Sequence, residues 1–199
     1  FSPQNVTPDN VPVNSHVSDL LLLGSTHLDK RWWLDGTLEY NSSTNEVARE
    51  VLGARYSPGP FRTVSAAYRL TRNQSEQVEV AWQWPLSGQV EPPAPRASGA
   101  ASCGGAWYSA GRLQYSLYDR RLINSVMGFE YNAGCWILRL GAERLSTGQA
   151  STNTSFLVQI ELVGLSTLGS NALQVLKDNI PGYRSLSSDR SANSRSSYD

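Results

Sequence analysis

Apolar and polar residues alternate along most of this chain, and turn-forming residues interrupt the alternation at spacings of about ten residues, the pattern of repeated amphipathic β-strands. It is clearest over residues 128–144, GFEYNAGCWILRLGAER. Phe129 and Tyr131 alternate with Gly128 and Glu130, and Trp136, Leu138, Leu140 and Ala142 alternate with Cys135, Arg139, Gly141 and Glu143. Asn132-Ala133-Gly134 between them predicts a tight turn, so the stretch is a hairpin with one apolar and one charged face. The same alternation predicts strands at residues 20–28, 32–40, 47–57, 61–71, 77–84, 106–117 and 155–163. In the last of these Phe156, Val158, Ile160 and Leu162 oppose Gln159 and Glu161.

Three stretches break the pattern. Residues 1–18 hold three prolines and read as an irregular lead-in. Residues 85–105, rich in Pro, Gly, Ala and Ser and containing Cys103, read as one long mobile loop. Beyond residue 164 the period changes: Ser170 is placed to cap a short helix in which Leu173, Leu176 and Ile180 recur, Pro181-Gly182 ends it, and Ser-rich residues 184–199 are expected to be disordered. The domain reading is therefore strands over 19–164, a C-terminal segment with a short helix over 165–183 and a tail.

About nine antiparallel strands in sequential order suit either an up-and-down transmembrane β-barrel or a soluble β-sandwich. Tryptophan placement favours the barrel. Strict up-down order brings Trp32, Trp33, Trp82, Trp84, Trp107 and Trp136 to one rim, joined by Tyr56, Phe61, Phe129 and Tyr131, as an aromatic belt at one bilayer interface would. A sandwich core would favour strand middles. The expected fold is thus all-β, the C-terminal part of an antiparallel transmembrane barrel, with a belt of Trp32, Trp84, Trp107 and Trp136. The runner-up is a soluble carbohydrate-binding sandwich with Trp82, Trp84 and Trp107 as stacking platforms.

Composition narrows the functions. Lys plus Arg equals Asp plus Glu at 17 each, so nothing points to nucleic acid. Two cysteines without CxxC spacing make a zinc site unexpected, and no cofactor is implied. No apolar run reaches the about 18 residues of a membrane helix, a requirement that does not apply to barrel strands. The histidines, His16 and His27, lack a neighbouring nucleophile or acid motif, so no enzyme is expected. The opposite-face charges Asp35, Glu39, Arg49, Arg55, Arg69, Glu79, Arg112, Glu130, Arg139 and Glu143 together favour a wide, wet lumen, because a small closed barrel would have to bury and pair them. The chain begins at Phe1 and reads as a fragment or a processed chain, and its strands, with nothing resembling a barrel start, are expected to be the final portion of a larger barrel.

The hairpin GFEYNAGCW, followed by SFLVQIELVGLSTLGSNALQVLKDNIPGY, resembles the C-terminal part of the LptD family of lipopolysaccharide-assembly outer-membrane proteins. The likeness is close over residues 128–183 and weaker, though compatible in pattern, back to Leu20. It implies a large barrel in the outer membrane of a Gram-negative bacterium, with a periplasmic N-terminal β-domain and a plug lipoprotein (LptE-like), delivering lipopolysaccharide to the outer leaflet. A periplasmic bridge protein (LptA-like) and the barrel-assembly machinery are the further partners implied. In that family, cysteines at this turn form disulfides with the N-terminal domain. Cys135 matches that position, but Trp136 stands where a second, adjacent cysteine is common, so at most one such bridge starts here. A Cys103–Cys135 bridge is the rival. The strand bearing Phe156, Val158, Ile160 and Leu162 corresponds to the closing strand, whose seam with the first strand is the family's lateral gate.

Overall fold

The computed structural model describes residues 19–42, 44–87, 105–146, 152–163 and 165–187. The strands are β1 Leu20–Asp29, β2 Trp32–Asn41, β3 Glu46–Gly59, β4 Arg62–Thr71, β5 Ser75–Ser87, β6 Ala106–Ser116, β7 Arg121–Asn132, β8 Trp136–Ser146, β9 Thr152–Leu162 and β10 Ser166–Gly169. All ten lie in one sheet, each hydrogen-bonded to its sequence neighbours in the order β1 to β10, and every pairing is antiparallel. Each strand pairs only with its neighbours in sequence, and no second sheet exists among the described residues, so the carbohydrate-binding sandwich is not favoured.

Nine strands fall where the alternation places them, and β10 is an addition. Its four residues, STLG, are too few to show a period. The strand interior of the expected loop also differs: β5 runs through Pro85 to Ser87, while Cys103 lies outside the described residues.

Register turns the alternation into two continuous faces, because directly paired residues share a face. On one, Trp84, Ser109, Phe129, Leu140 and Val158 form a row across β5 to β9, and Trp107, Tyr131, Leu138, Ile160 and Leu168 form another across β6 to β10. This outer face is apolar yet uncovered, with Met127 48 % and Phe156 80 % exposed. On the inner face the corresponding row runs from Gln83 to Ala110, Gly128 and Gly141, and the last three have almost no side-chain bulk, leaving a shallow trough.

The helix α1, Ala172–Asn179, fills that trough. Ala172, Leu176 and Ile180 recur every four residues along one stripe and are all buried. Leu176 and Ile180 pack on Ala81, Ala110 and Val126. A Cβ on Gly128 would stand only 3.2 Å from Leu176 Cδ2, so the absent side chain is what admits the helix. The helix thus lies on the sheet's inner face. Ser170 does not cap it. The cap residue is Asn171 without a side-chain bond, and the Gln159 side chain accepts from the Leu173 N–H at 2.8 Å.

Candidate functional site

Two places concentrate polar chemistry: the inner face under α1, and the edge of β9. On the inner face, Glu130 of β7 and Arg139 of β8 are directly paired and both side chains are 0 % exposed. Arg139 donates from Nε to Glu130 Oε1 at 2.9 Å and from Nη1 to Glu161 Oε2 at 2.6 Å. The Tyr183 hydroxyl, arriving from beyond α1, donates to Glu130 Oε1 at 2.6 Å. Desolvating an ion costs several kcal/mol, so this arrangement holds only because each charge is answered by several partners. Burial of the hydroxyl and the Glu130 carboxylate beside it push the Tyr183 phenol well above its usual range, which keeps it a donor. Gln83 extends the contact, its amide donating to the Arg184 carbonyl at 2.8 Å and accepting from the Arg184 N–H at 2.9 Å. Leu186 then packs with Phe61, Ala106, Tyr108 and Ile137. The start of the expected disordered tail, Arg184 to Leu186, is thus part of the inner wall, while residues 188–199 lie outside the described residues.

A second cluster sits beside it. Glu79 accepts from Arg69 at 2.5 Å and from Arg112 at 2.8 Å, and Arg112 also donates to Asn179 Oδ1 at the end of α1, at 3.0 Å. Ten inward charges together suggest a wide, wet interior. In this sector Glu79, Glu130 and Arg139 are instead buried and paired, because the chain's own C-terminal segment covers them. Asp35 and Arg49, on β2 and β3 where no helix lies, are exposed.

At the edge of β9, Phe156, Val158, Ile160 and Leu162 all point outward and are exposed, with Leu168 of β10 beside Ile160. β10 takes the edge from Gln159 to Leu162. Ser170 continues it: its N–H donates to the Val158 carbonyl at 2.8 Å and its Oγ accepts from the Val158 N–H at 2.7 Å.

The turn end of the sheet holds the remaining candidates. Cys135 is exposed in the β7–β8 turn, which Asn132 shapes by accepting from the Gly134 N–H at 2.9 Å, with Gly134 at φ 92°. The Cys135 carbonyl accepts from the Val163 N–H at 3.0 Å, tying this turn to the end of β9. Trp32 packs on Tyr56, and Trp107, Tyr131 and Trp136 form a run of tilted rings with centroids 4.9 and 5.3 Å apart. Trp84 lies outward and Trp33 inward, edge-on to His27 at 4.1 Å. Phe61, in the turn between β3 and β4, stays at this end of the sheet but is buried. Its φ of 55° turns the side chain inward onto Tyr108 and Leu186, against the expectation of an outward ring.

Sequence reasoning names Glu130, Arg139, Glu79 and Arg112 as inward charges but misses Gln83 and Tyr183, and gives Ser170 a helix cap where it bonds the Val158 backbone. Nothing local in the sequence joins Gln83 to Arg184, 101 residues away. Among the described residues no group of three or more His, Cys, Asp or Glu could hold a metal ion.

A family model described as LptD, LPS transport system D, matches residues 1–90. LPS-assembly protein LptD of Albidiferax ferrireducens is 47 % identical over 203 residues, covering 100 % of this chain and 25 % of the relative. The protein of the same name from Acidovorax sp. is 46 % identical, covering 98 % of the chain and 25 % of its own length. That of Thiobacillus denitrificans is 37 % identical over 92 % of the chain and 23 % of its length. The chain spans about a quarter of the length of these relatives. The family-model match covers the end where the motif resemblance was weak, and the whole-chain identity joins both ends.

Proposed function

The chain belongs to the LptD family and lies in the outer membrane of a Gram-negative bacterium, and on that premise we propose that it forms the closing part of a barrel that delivers lipopolysaccharide to the outer leaflet. The observation that carries the reading is the identity along the whole chain to proteins named for lipopolysaccharide assembly. The inversion of the two faces supports it. Large apolar side chains stand on the uncovered face and paired charges on the covered one, which suits lipid outside and polar contents inside.

In this proposal the edge of β9 is one side of the lateral gate, and Phe156, Val158, Ile160 and Leu162 meet lipid. Trp32, Trp84, Trp107 and Trp136 sit at the headgroup level on the periplasmic side. Cys135, exposed on that rim, is the covalent tie to an N-terminal periplasmic domain of the longer protein, with Cys103 as its alternative partner. Lipopolysaccharide, a plug lipoprotein, a periplasmic bridge protein and the barrel-assembly machinery are the partners of the whole protein. A transport and assembly family fits the expectation of no enzymatic chemistry.

The gate is tested by locking β9 covalently to the first strand of the full-length barrel. Lipopolysaccharide then ceases to reach the surface; undisturbed export would refute the gate. Mass spectrometry of non-reduced peptides tests the tie, and a peptide joining Cys103 to Cys135 would overturn an interdomain bridge.

A further inference from the structure

We propose that β10 is the standing partner of the half of the β9 edge next to the β9–β10 turn, so that any further strand of the longer protein joining there pairs with the other half alone. The inference rests on the seam reading above and limits where that seam can form. In an antiparallel ladder alternate residues turn both their N–H and C=O to the same edge. Val158 turns both to Ser170, and Ile160 and Leu162 are in phase with it, opposite Leu168 and Ser166. Only Thr152, Thr154 and Phe156 in that phase lie outside the reach of β10 and Ser170.

β10 is held at both ends. The Leu165 N–H donates to the Leu162 carbonyl at 3.0 Å across the turn, and the turn is tied to Cys135. Beyond Ser170, the first turn of α1 is bonded to the Gln159 side chain, and the helix is seated in the trough by Leu176 and Ile180. To leave the edge, β10 would have to pull these contacts with it. An independent observation places β10 in the barrel wall. Leu168 is 76 % exposed and extends the outer apolar row of Trp107, Tyr131, Leu138 and Ile160, the side chain that a lipid-facing wall requires at that position. A strand arriving at β9 therefore bends away alongside Val158, and the seam it makes is short and confined to the end remote from Cys135. Fewer ladder bonds hold such a seam than a full strand would supply, which makes it the weak point of the wall.

The test uses the full-length protein in outer membranes with Ile160→Cys and Leu168→Cys together, oxidised and digested without reduction. A disulfide joining the two substituted positions is expected. Absence of that disulfide in the folded protein would overturn the proposal. Should the double variant fold poorly, amide exchange on the unsubstituted protein decides: slow exchange at residues 166–170 supports it, and exchange as fast as in unstructured chain overturns it. Failure of the gate itself would show differently, as undisturbed export after β9 is locked to the first strand, with the disulfide between positions 160 and 168 still forming.

Discussion

The inner faces of β1 to β4 and of β5 to β9 begin from the same alternating pattern and end in opposite states. On β2 and β3 the inward charges Asp35 and Arg49 stand exposed. On β7 and β8 the inward charges Glu130 and Arg139 are fully enclosed. Strand sequence does not separate them; what lies on top does. Ala110, Gly128 and Gly141 leave a trough, α1 settles into it, and Tyr183 and Arg184 complete the coordination of groups that would otherwise face water. A polar lumen wall is thus converted locally into a packed interior by the chain that follows the last long strand.

The largest effect expected from this contrast comes from removing one member of the enclosed pair. Arg139→Ala leaves Glu130 buried and unanswered and should destabilise the full-length barrel by about 3–5 kcal/mol. Arg49→Ala on the uncovered side should stay within about 0.5 kcal/mol. Denaturant unfolding from lipid bilayers compares them, and equal losses would erase the distinction between the two regions.

The outer faces should show no such contrast. Leu140→Arg on β8 and Leu52→Arg on β3 both put a cation on the exposed apolar face, and each should cost about 2–4 kcal/mol if mid-bilayer lipid lies against it. A cost near zero at either site, measured in the same bilayers, would show that the face there meets water.

Much of this was legible in the sequence and some was not, for physical reasons. Strands of ten or more residues announce themselves by period, so Trp32, Leu140 and Phe156 could be assigned to a face at once. β10 is too short to show a period, and Ser170 bonds the backbone of Val158 rather than capping a helix, as its position before an apolar stripe had suggested. The inward phase of Glu130 and Arg139 was readable, but their burial was not. Burial depends on Tyr183 arriving from 53 residues away, and local pattern carries no record of such a contact. Phe61 was misplaced because the rule that sets faces assumes extended backbone, and its φ of 55° departs from it.

Smaller effects sharpen the contrast further. Tyr183→Phe removes a hydrogen bond to a charged group and should cost about 1.5–3 kcal/mol without disturbing the strands. Arg72→Ala breaks the exposed pair with Glu46 at the far end of the sheet, a contact of 2.8 Å, and should cost no more than about 1 kcal/mol. Unfolding midpoints at fixed lipid composition would rank the two, and a reversed order would put the strength of the molecule at its rim.

The central claim, that the C-terminal segment is bonded into the inner face, is tested most directly by a double-mutant cycle between Tyr183→Phe and Glu130→Gln in the full-length protein. Contact between the hydroxyl and the carboxylate predicts that the two losses do not add, with a coupling of about 0.5–3 kcal/mol. Strict additivity would contradict it, placing Tyr183 away from β7 and returning this sector to an open, wet wall.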